Sequence, residues 1–470
     1  MFALHHLTAL EQLDWLRRGE VTPRELTEHY LERITRLDGE LGAFVTVTPE
    51  RALARADAVA GTARAAALWG LPTAEKDLWR TAGVPTRFGS RVFSDFVPDE
   101  SDDLVSDLEA AGTVSLGKTN TPEFGMPSYT EPRANAAART PYDLSRGAGG
   151  SSGGAAVAVA AGLLPVAPGS DGGGSIRIPA ASTGLVGLKP SRGRIPSGAG
   201  FGDPAGLVVP GPLARTVADA ALLLDALVSA RPYRYATAAP AWDGGAYLNA
   251  AVRGEGRFQL GVTTWSPWAT AYELALEPAA QAALDLAVTE LSAIGHGLEE
   301  FAPGEDAGYA PAFRTVWQAG AAGIPVEEAD LTRLEPLTAW LVGQGRRVGA
   351  GELAEALQWL SLFEQRLITA FSPYDAVLTP ALAMTPRPVG WYDADDPERN
   401  FAQQVQVTPY TSMVNVAGLP AISLPVATTD DGLPMGVQLI GRPGGEHVLL
   451  AIGAQLERRL AWHRRHPPQW

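Results

Sequence analysis

Apolar residues recur along this chain at two periods, and each period predicts a different element. Leu26, Tyr30, Ile34 and Leu37 follow one another at three- and four-residue intervals, which lays a single apolar stripe along a helix. The stripe begins just after Thr22-Pro23-Arg24-Glu25, and an earlier one follows Thr8-Ala9-Leu10-Glu11. In both, a threonine stands three residues before a glutamate, so each side chain can satisfy a backbone N–H that the first helical turn leaves open. Pro23 suits a first helical position. Two helices are therefore predicted to open the chain. Further helices are predicted over 49–67, 101–111, 216–229 and 446–459, and a buried helix of small apolar residues over 155–164.

Short apolar runs bounded by turn residues predict strands at Thr113 to Leu116, Leu260 to Thr264, Asp375 to Thr379 and Ala421 to Pro425, and a strand at 436–440 that pairs back across the turn at Asp430-Asp431-Gly432. A short segment leads from Gly70-Leu71-Pro72 to Lys76-Asp77. Residues 146–154 and 169–175 read as Gly-rich loops, and 231–256, with Pro232, Pro240 and Gly244-Gly245, as an irregular crossing loop. A length of 470 residues averages about three domains. Helices and strands interleave throughout, however, and this predicts an α/β fold: one large domain over 1–470, its central mixed β-sheet covered by helices on both faces.

Composition narrows the chemistry. The chain is 46% hydrophobic and 19% charged, enough for a large core, and carries a net charge of −15. Nucleic acid and anionic membrane surfaces are therefore poor partners. There is no cysteine, which excludes disulfides, zinc–thiolate sites, iron–sulfur clusters and cysteine nucleophiles. The first 16 residues lack the basic and apolar regions of a signal peptide. The longest apolar run, 155–167, is interrupted by Gly162 and Pro165 and is too short to span a bilayer. A cytoplasmic protein is expected.

Three motifs mislead. Gly112-Thr-Val-Ser-Leu-Gly117-Lys118-Thr119 matches a P-loop letter for letter, but a helix precedes it, its loop positions are apolar, and Asn120-Thr121-Pro122 blocks the helix that should follow. The simpler reading is a buried strand whose end carries Lys118. Gly149-x-Ser151-x-Gly153 matches a hydrolase nucleophile elbow, yet it follows a loop, and no histidine downstream has an acid partner in a suitable place. Asp393-Ala-Asp395-Asp396 has the wrong spacing for a calcium loop, with Glu398 and Gln404 where Gly and Glu belong. Without a His-Glu-x-x-His motif either, neither a metal nor a cofactor is expected.

The Gly/Ser runs 149–154 and 169–175 are compatible with slack linkers, and Lys76 alone with an ordinary surface lysine. Both runs abut tightly apolar segments, where slack linkers are unusual, and glycines let backbone N–H groups approach a ligand. A serine nucleophile needs a base. With no suitable histidine, a lysine has to serve, and it does so only if burial lowers its pKa from about 10.4.

Six ordered segments then coincide with one family. They are Pro72-x-x-x-Lys76-Asp77-Leu78, Leu116 to Gly125, Gly149-Gly-Ser-Ser-Gly-Gly154, Asp171-x-Gly-Gly-Ser-Ile-Arg177-x-Pro179, Gly184-x-x-Gly-Leu-Lys-Pro190 and Asn415-x-x-Gly-x-Pro-Ala-x-Ser-x-Pro425. The chain resembles the amidase signature family of serine amidohydrolases, closely over about 70–196 and more loosely elsewhere. The region after the core looks more like the free-standing amidases than like the amidotransferase subunits.

The resemblance implies a Ser–Ser–Lys triad: Ser175 as nucleophile, Ser151 as bridging serine after a cis peptide bond, and Lys76 as base. It also implies an oxyanion hole from the N–H groups of Gly172, Gly173, Gly174 and Ser175. Ser152 is expected to support the relay, and Asp171 and Arg177 to form a buried pair that stiffens the loop. Met126 and Trp317 are candidate substrate-binding residues, and Trp340 and Trp391 further hints of an aromatic pocket. The implied activity is hydrolysis of a linear carboxylic amide, a small-molecule substrate, through an acyl-enzyme, with a homodimer as a candidate assembly. Two other readings keep the scaffold: a glutamine-hydrolysing subunit of a tRNA-dependent amidotransferase, and a non-catalytic binding protein. Glu75 and Ala155 depart from the family pattern, and so does Gly172. Glu75 would raise the pKa of Lys76 if their side chains met, but strand neighbours point to opposite faces.

Overall fold

Both predicted capping boxes form. The Thr8 and Thr22 hydroxyls accept the N–H of Glu11 and Glu25, whose carboxylates take the threonine N–H groups in return, and helices run from Ala9–Arg18 and Pro23–Leu41. The computed structural model describes residues 3–195, 203–229, 239, 242–468 and 470. Pro196, the last residue of the expected signature core, lies outside them, as do 231–238, 240 and 241 of the expected crossing loop.

Eleven strands are present among the described residues: β1 (Phe44–Val47), β2 (Pro72–Lys76), β3 (Val114–Thr119), β4 (Val166–Asp171), β5 (Val186–Lys189), β6 (Val209–Ala214), β7 (Gln259–Val262), β8 (Gly297–Glu300), β9 (Ala376–Pro380), β10 (Ala421–Thr428) and β11 (Pro434–Gly441). Eight form one sheet in the order β4-β6-β5-β10-β11-β9-β7-β8. Its pairs are antiparallel from β4 to β9 and parallel through β7 and β8, so the sheet is mixed, and helices flank it. The remaining three strands make a separate sheet, β1-β3-β2, which the sequence did not reveal.

The helix Gly153–Ala160 joins the two sheets. All eight of its residues are buried. A Cβ on Gly154 would lie 2.2 Å from the Asn120 nitrogen and 2.4 Å from the Ala43 carbonyl oxygen, so only glycine lets this helix rest on backbone of the smaller sheet's rim. The Gly/Ser run is thus a packing surface, the opposite of a slack linker.

Three expectations are corrected. The helix predicted over 49–67 stops at Ala60, where Gly61 caps it and the Trp69 indole N–H, 3.0 Å away, takes the Val59 carbonyl. The first half of the predicted loop 169–175 is the end of β4. Pro168 and Gly169 disguise it in sequence, but β4 is an edge strand, where proline is tolerated, and Pro168 lies opposite Pro212 of β6. The crossing loop contains a helix, Tyr247–Arg253, whose first N–H groups are accepted by Asp225, 2.7 and 2.9 Å away. Its cap comes from a distant helix, so no local signal announces it.

The false motifs resolve as expected. Lys118 lies in β3 and is fully buried, its ammonium donating to the Trp79 carbonyl and Thr86 hydroxyl. Asp393 accepts the N–H groups of Asp395 and Asp396, and Asp396 caps the helix Pro397–Val407.

Candidate active site

Lys76 ends β2 with no exposed surface. Its Nζ lies 2.8 Å from Ser151 Oγ, 3.0 Å from Ser152 Oγ and 3.1 Å from Ser170 Oγ. Burial lowers its pKa to about 7, against the opposing pull of Asp171. Glu75 points elsewhere: its carboxylate accepts the Ser115 hydroxyl at 2.7 Å, and burial raises its pKa while that bond and Lys118 pull it down. The concern that Glu75 would keep Lys76 protonated is thereby answered.

The Gly150–Ser151 peptide is cis. Ser152 ties the two serine loops together. Its N–H donates to the Ser175 carbonyl at 3.1 Å, and its hydroxyl accepts the Ser170 N–H at 3.3 Å. Ser175 itself is 9% exposed and, with Ser151 and Ser170, lines an open cleft.

Ser175 sits between β4 and the helix Arg177–Thr183. The expected buried pair forms and is bidentate: Arg177 Nε and Nη2 lie 3.0 and 2.9 Å from the two Asp171 oxygens, both side chains fully buried. Arg177 also reaches the Thr411 carbonyl, Gln438 Oε1 and Asn415 Oδ1. Asn415 Nδ2 donates to the Asp171 carbonyl and carboxylate at 2.8 and 2.9 Å. Burial pushes the Asp171 pKa up, but Arg177, Lys189 and Asn415 outweigh it and hold the carboxyl well below the usual range.

One oxyanion assignment is corrected. The Gly174 N–H is donated to Asp171 Oδ1 at 2.7 Å, and that of Ile176 to Oδ2 at 3.2 Å. Among the described residues, the N–H groups of Gly172, Gly173 and Ser175 have no acceptor, so these three remain to receive an anion. Thr411 Oγ1 braces the loop from behind through the Gly173 carbonyl at 2.6 Å. Gly174 has φ +135°, and a Cβ there would lie 2.6 Å from both Thr411 Oγ1 and Ile178 Cδ1. Gly174→Ala is therefore expected to displace the loop and lower kcat by 10²-fold or more, since shifts of about 1 Å at a reacting centre cost that much. Steady-state kinetics check this, with circular dichroism showing that the fold persists.

Met126 and Trp317 line the cleft. Trp340 and Trp391 do not border it among the described residues. The aromatic wall comes instead from Phe124, Trp268, Phe313 and Phe401. Sequence reasoning missed Ser170, Thr411 and Gln438, and gave Asn415 no role. Ser170 carried no sequence signal, because 169–175 reads as a loop and only the strand β4 turns Ser170 toward Lys76. Among the described residues no group of three or more His, Asp or Glu could hold a metal ion.

A buried lysine among serine hydroxyls, beside a loop of open N–H groups, suits acyl transfer. The amidase family model matches residues 25–450, nearly the whole of this geometry. This chain belongs to the amidase family. Its relatives include the Mycobacterium tuberculosis protein named "Putative amidase AmiB2", 38% identical, with 98% of this chain and 97% of that protein covered. A glutamyl-tRNA(Gln) amidotransferase subunit of Acinetobacter baumannii is 33% identical, with 98% of each covered. The substrate complex of 6-aminohexanoate cyclic dimer hydrolase superposes with a TM-score of 0.90 at 31% identity, covering 99% of both chains. The amidase fold thus accounts for both sheets, and amide C–N hydrolysis is the chemistry of the family.

Proposed function

We propose that this amidase hydrolyses a carboxylic amide through an acyl-enzyme on Ser175. The observation that carries the reading is Lys76, buried without a carboxylate in hydrogen-bonding contact and surrounded by the hydroxyls of Ser151, Ser152 and Ser170. A neutral amine has two N–H groups and one lone pair. Three hydroxyl partners satisfy it fully when one of them, Ser151, donates to the nitrogen.

In acylation the Ser175 oxygen bonds to the amide carbon, and its proton passes through Ser151 to Lys76. The N–H groups of Gly172, Gly173 and Ser175 hold the oxyanion. As the C–N bond breaks, the same relay returns the proton to the leaving nitrogen. Water then adds to the ester, losing a proton to the relay, and the acid departs as Ser175 recovers its own.

Treatment with a fluorophosphonate and mass spectrometry tests the assignment. A single adduct on Ser175 is expected, abolished in Ser175→Ala. An adduct on Ser151 or Ser152 with Ser175 unmodified would overturn it. The second reading, glutamine hydrolysis for an amidotransferase, is favoured by the 33% identity to the Acinetobacter protein over 98% of both chains. Glutamine-dependent ammonia release would support it.

A further inference from the structure

The cleft divides into two lobes that meet at Ser175, Met126 and Trp317. One lobe, about 630 Å³ out to its mouth, is walled by Leu78, Phe124, Leu207, Val208 and Val316. The other, about 500 Å³, is walled by Ile178, Trp268, Phe313, Phe401 and Val405. Phe313 and Trp317 stack at 5.6 Å with 17° between their planes; Trp317 borders both lobes and Phe313 only the second.

The lobes differ in which catalytic atoms they meet. Ser151 and Ser170 border only the first, and Gly173 only the second. Since the relay through Ser151 must deliver a proton to the departing nitrogen, the amine half of the substrate has to lie on the Ser151 side. The first lobe is then the leaving-group pocket and the second the acyl pocket.

Charge narrows the occupants. Among the described residues lining either lobe, Asp203 is the one ionisable group, and its carboxylate is exposed and accepts the N–H groups of Leu207 and Val208, both at 2.8 Å. No cation among them faces a carboxylate. An amino-acid substrate such as glutamine would bring its α-carboxylate into a lobe whose polar groups, those of Ser128, Gln404, Thr408 and Ser412, are all neutral, with no cation to pair it. An ammonia leaving group would leave the first lobe unfilled.

Resting on the amidase reading above, we infer that this site selects secondary amides of an uncharged apolar amine, aryl or alkyl, which occupies the lobe of Leu78, Phe124 and Val208, while an uncharged acyl group fills the lobe of Phe313 and Phe401. Val208 and Val316 set the amine preference and Phe401 the acyl preference.

The test uses the full-length protein and butyric amides of ammonia, butylamine, aniline and 4-aminobenzoate, with an acetyl and a hexanoyl anilide and with glutamine. Ser175 labelling by a fluorophosphonate is read in parallel. The expected kcat/KM rises about 100-fold from the ammonia amide to the anilide, as filling an apolar pocket does, and falls tenfold or more for the carboxylated anilide. Val208→Trp narrows the first lobe and is expected to lower the anilide-to-ammonia-amide ratio tenfold or more. Val316→Phe serves the same arm if that variant fails to fold. Phe401→Trp is expected to change the hexanoyl-to-acetyl ratio instead. If Ser175 labels but the ammonia amide, glutamine or the carboxylated anilide is preferred, or if Val208→Trp alters only the acyl ratio, the inference is overturned and the amidase reading stands. If Ser175 does not label and no amide is turned over, the amidase reading fails and the inference with it.

Discussion

Replacing Lys76 with methionine is expected to lower kcat/KM by about 10³-fold or more while leaving the protein folded. A general base contributes on the order of 10²–10⁴, and no second basic side chain contacts Ser151 among the described residues. Methionine has similar length and needs no partner. Methionine removes the cost of burying an amine while Ser151, Ser152 and Ser170 each lose one partner, so thermal denaturation should show a midpoint close to that of the wild type. Loss of activity without loss of stability separates a base from a structural lysine. The wild-type pH profile gives a second check. Lys76 accepts a proton only when neutral, and its pKa is lowered to about 7 by burial. The kcat/KM should therefore be level above that value and fall tenfold per pH unit below it. Asp171 stays ionised through this window and adds no limb of its own.

Arg177→Ala is expected to cost about 3–5 kcal/mol of stability, the penalty for stranding one member of a buried ion pair, and to abolish most turnover. The guanidinium neutralises Asp171 and joins the Thr411 carbonyl, Asn415 and Gln438. Asp171 in turn orients the Gly174 N–H and so the loop of open donors before Ser175. Urea denaturation measures the loss, and its pH dependence identifies the cause. In the wild type, Asp171 has a depressed pKa, so its stabilising contribution is present above the unfolded value near 4 and is lost as pH falls through the folded one. In the variant the stranded carboxylate is the penalty, so the deficit should shrink as pH falls toward 4 and the group takes up a proton. A deficit independent of pH would assign the loss to packing around the missing side chain.

Local chemistry made much of this molecule readable. Thr8 with Glu11 and Thr22 with Glu25 announce two helix starts because cap and partner lie within one turn. Lys76, Ser151, Ser152 and Ser175 stand in ordered motifs, and the structure places Ser151 and Ser175 at one cleft with Lys76 buried against Ser151 and Ser152. What escaped depends on partners far along the chain. The strand Val166–Asp171 contains proline and glycine and is a strand only because Val209–Ala214 lies beside it. The helix Tyr247–Arg253 takes its cap from Asp225. The smaller sheet needs β1 and β3 to meet antiparallel while β2 and β3 run parallel, which no local period encodes. Gly174 was assigned to the oxyanion hole by its position in the loop. The Asp171 carboxylate that claims its N–H lies only three residues away, yet the direction it faces is set by Arg177 and Asn415.

Arg177 is anchored by groups 234, 238 and 261 positions further along the chain. During synthesis, Lys76, Ser151 and Ser175 therefore emerge from the ribosome long before the segment that immobilises the loop between them. A nascent chain carries all three of these side chains before it carries the groups that hold Arg177. The loop before Ser175 is fully braced only once Thr411, Asn415 and, in β11, Gln438 have followed it out.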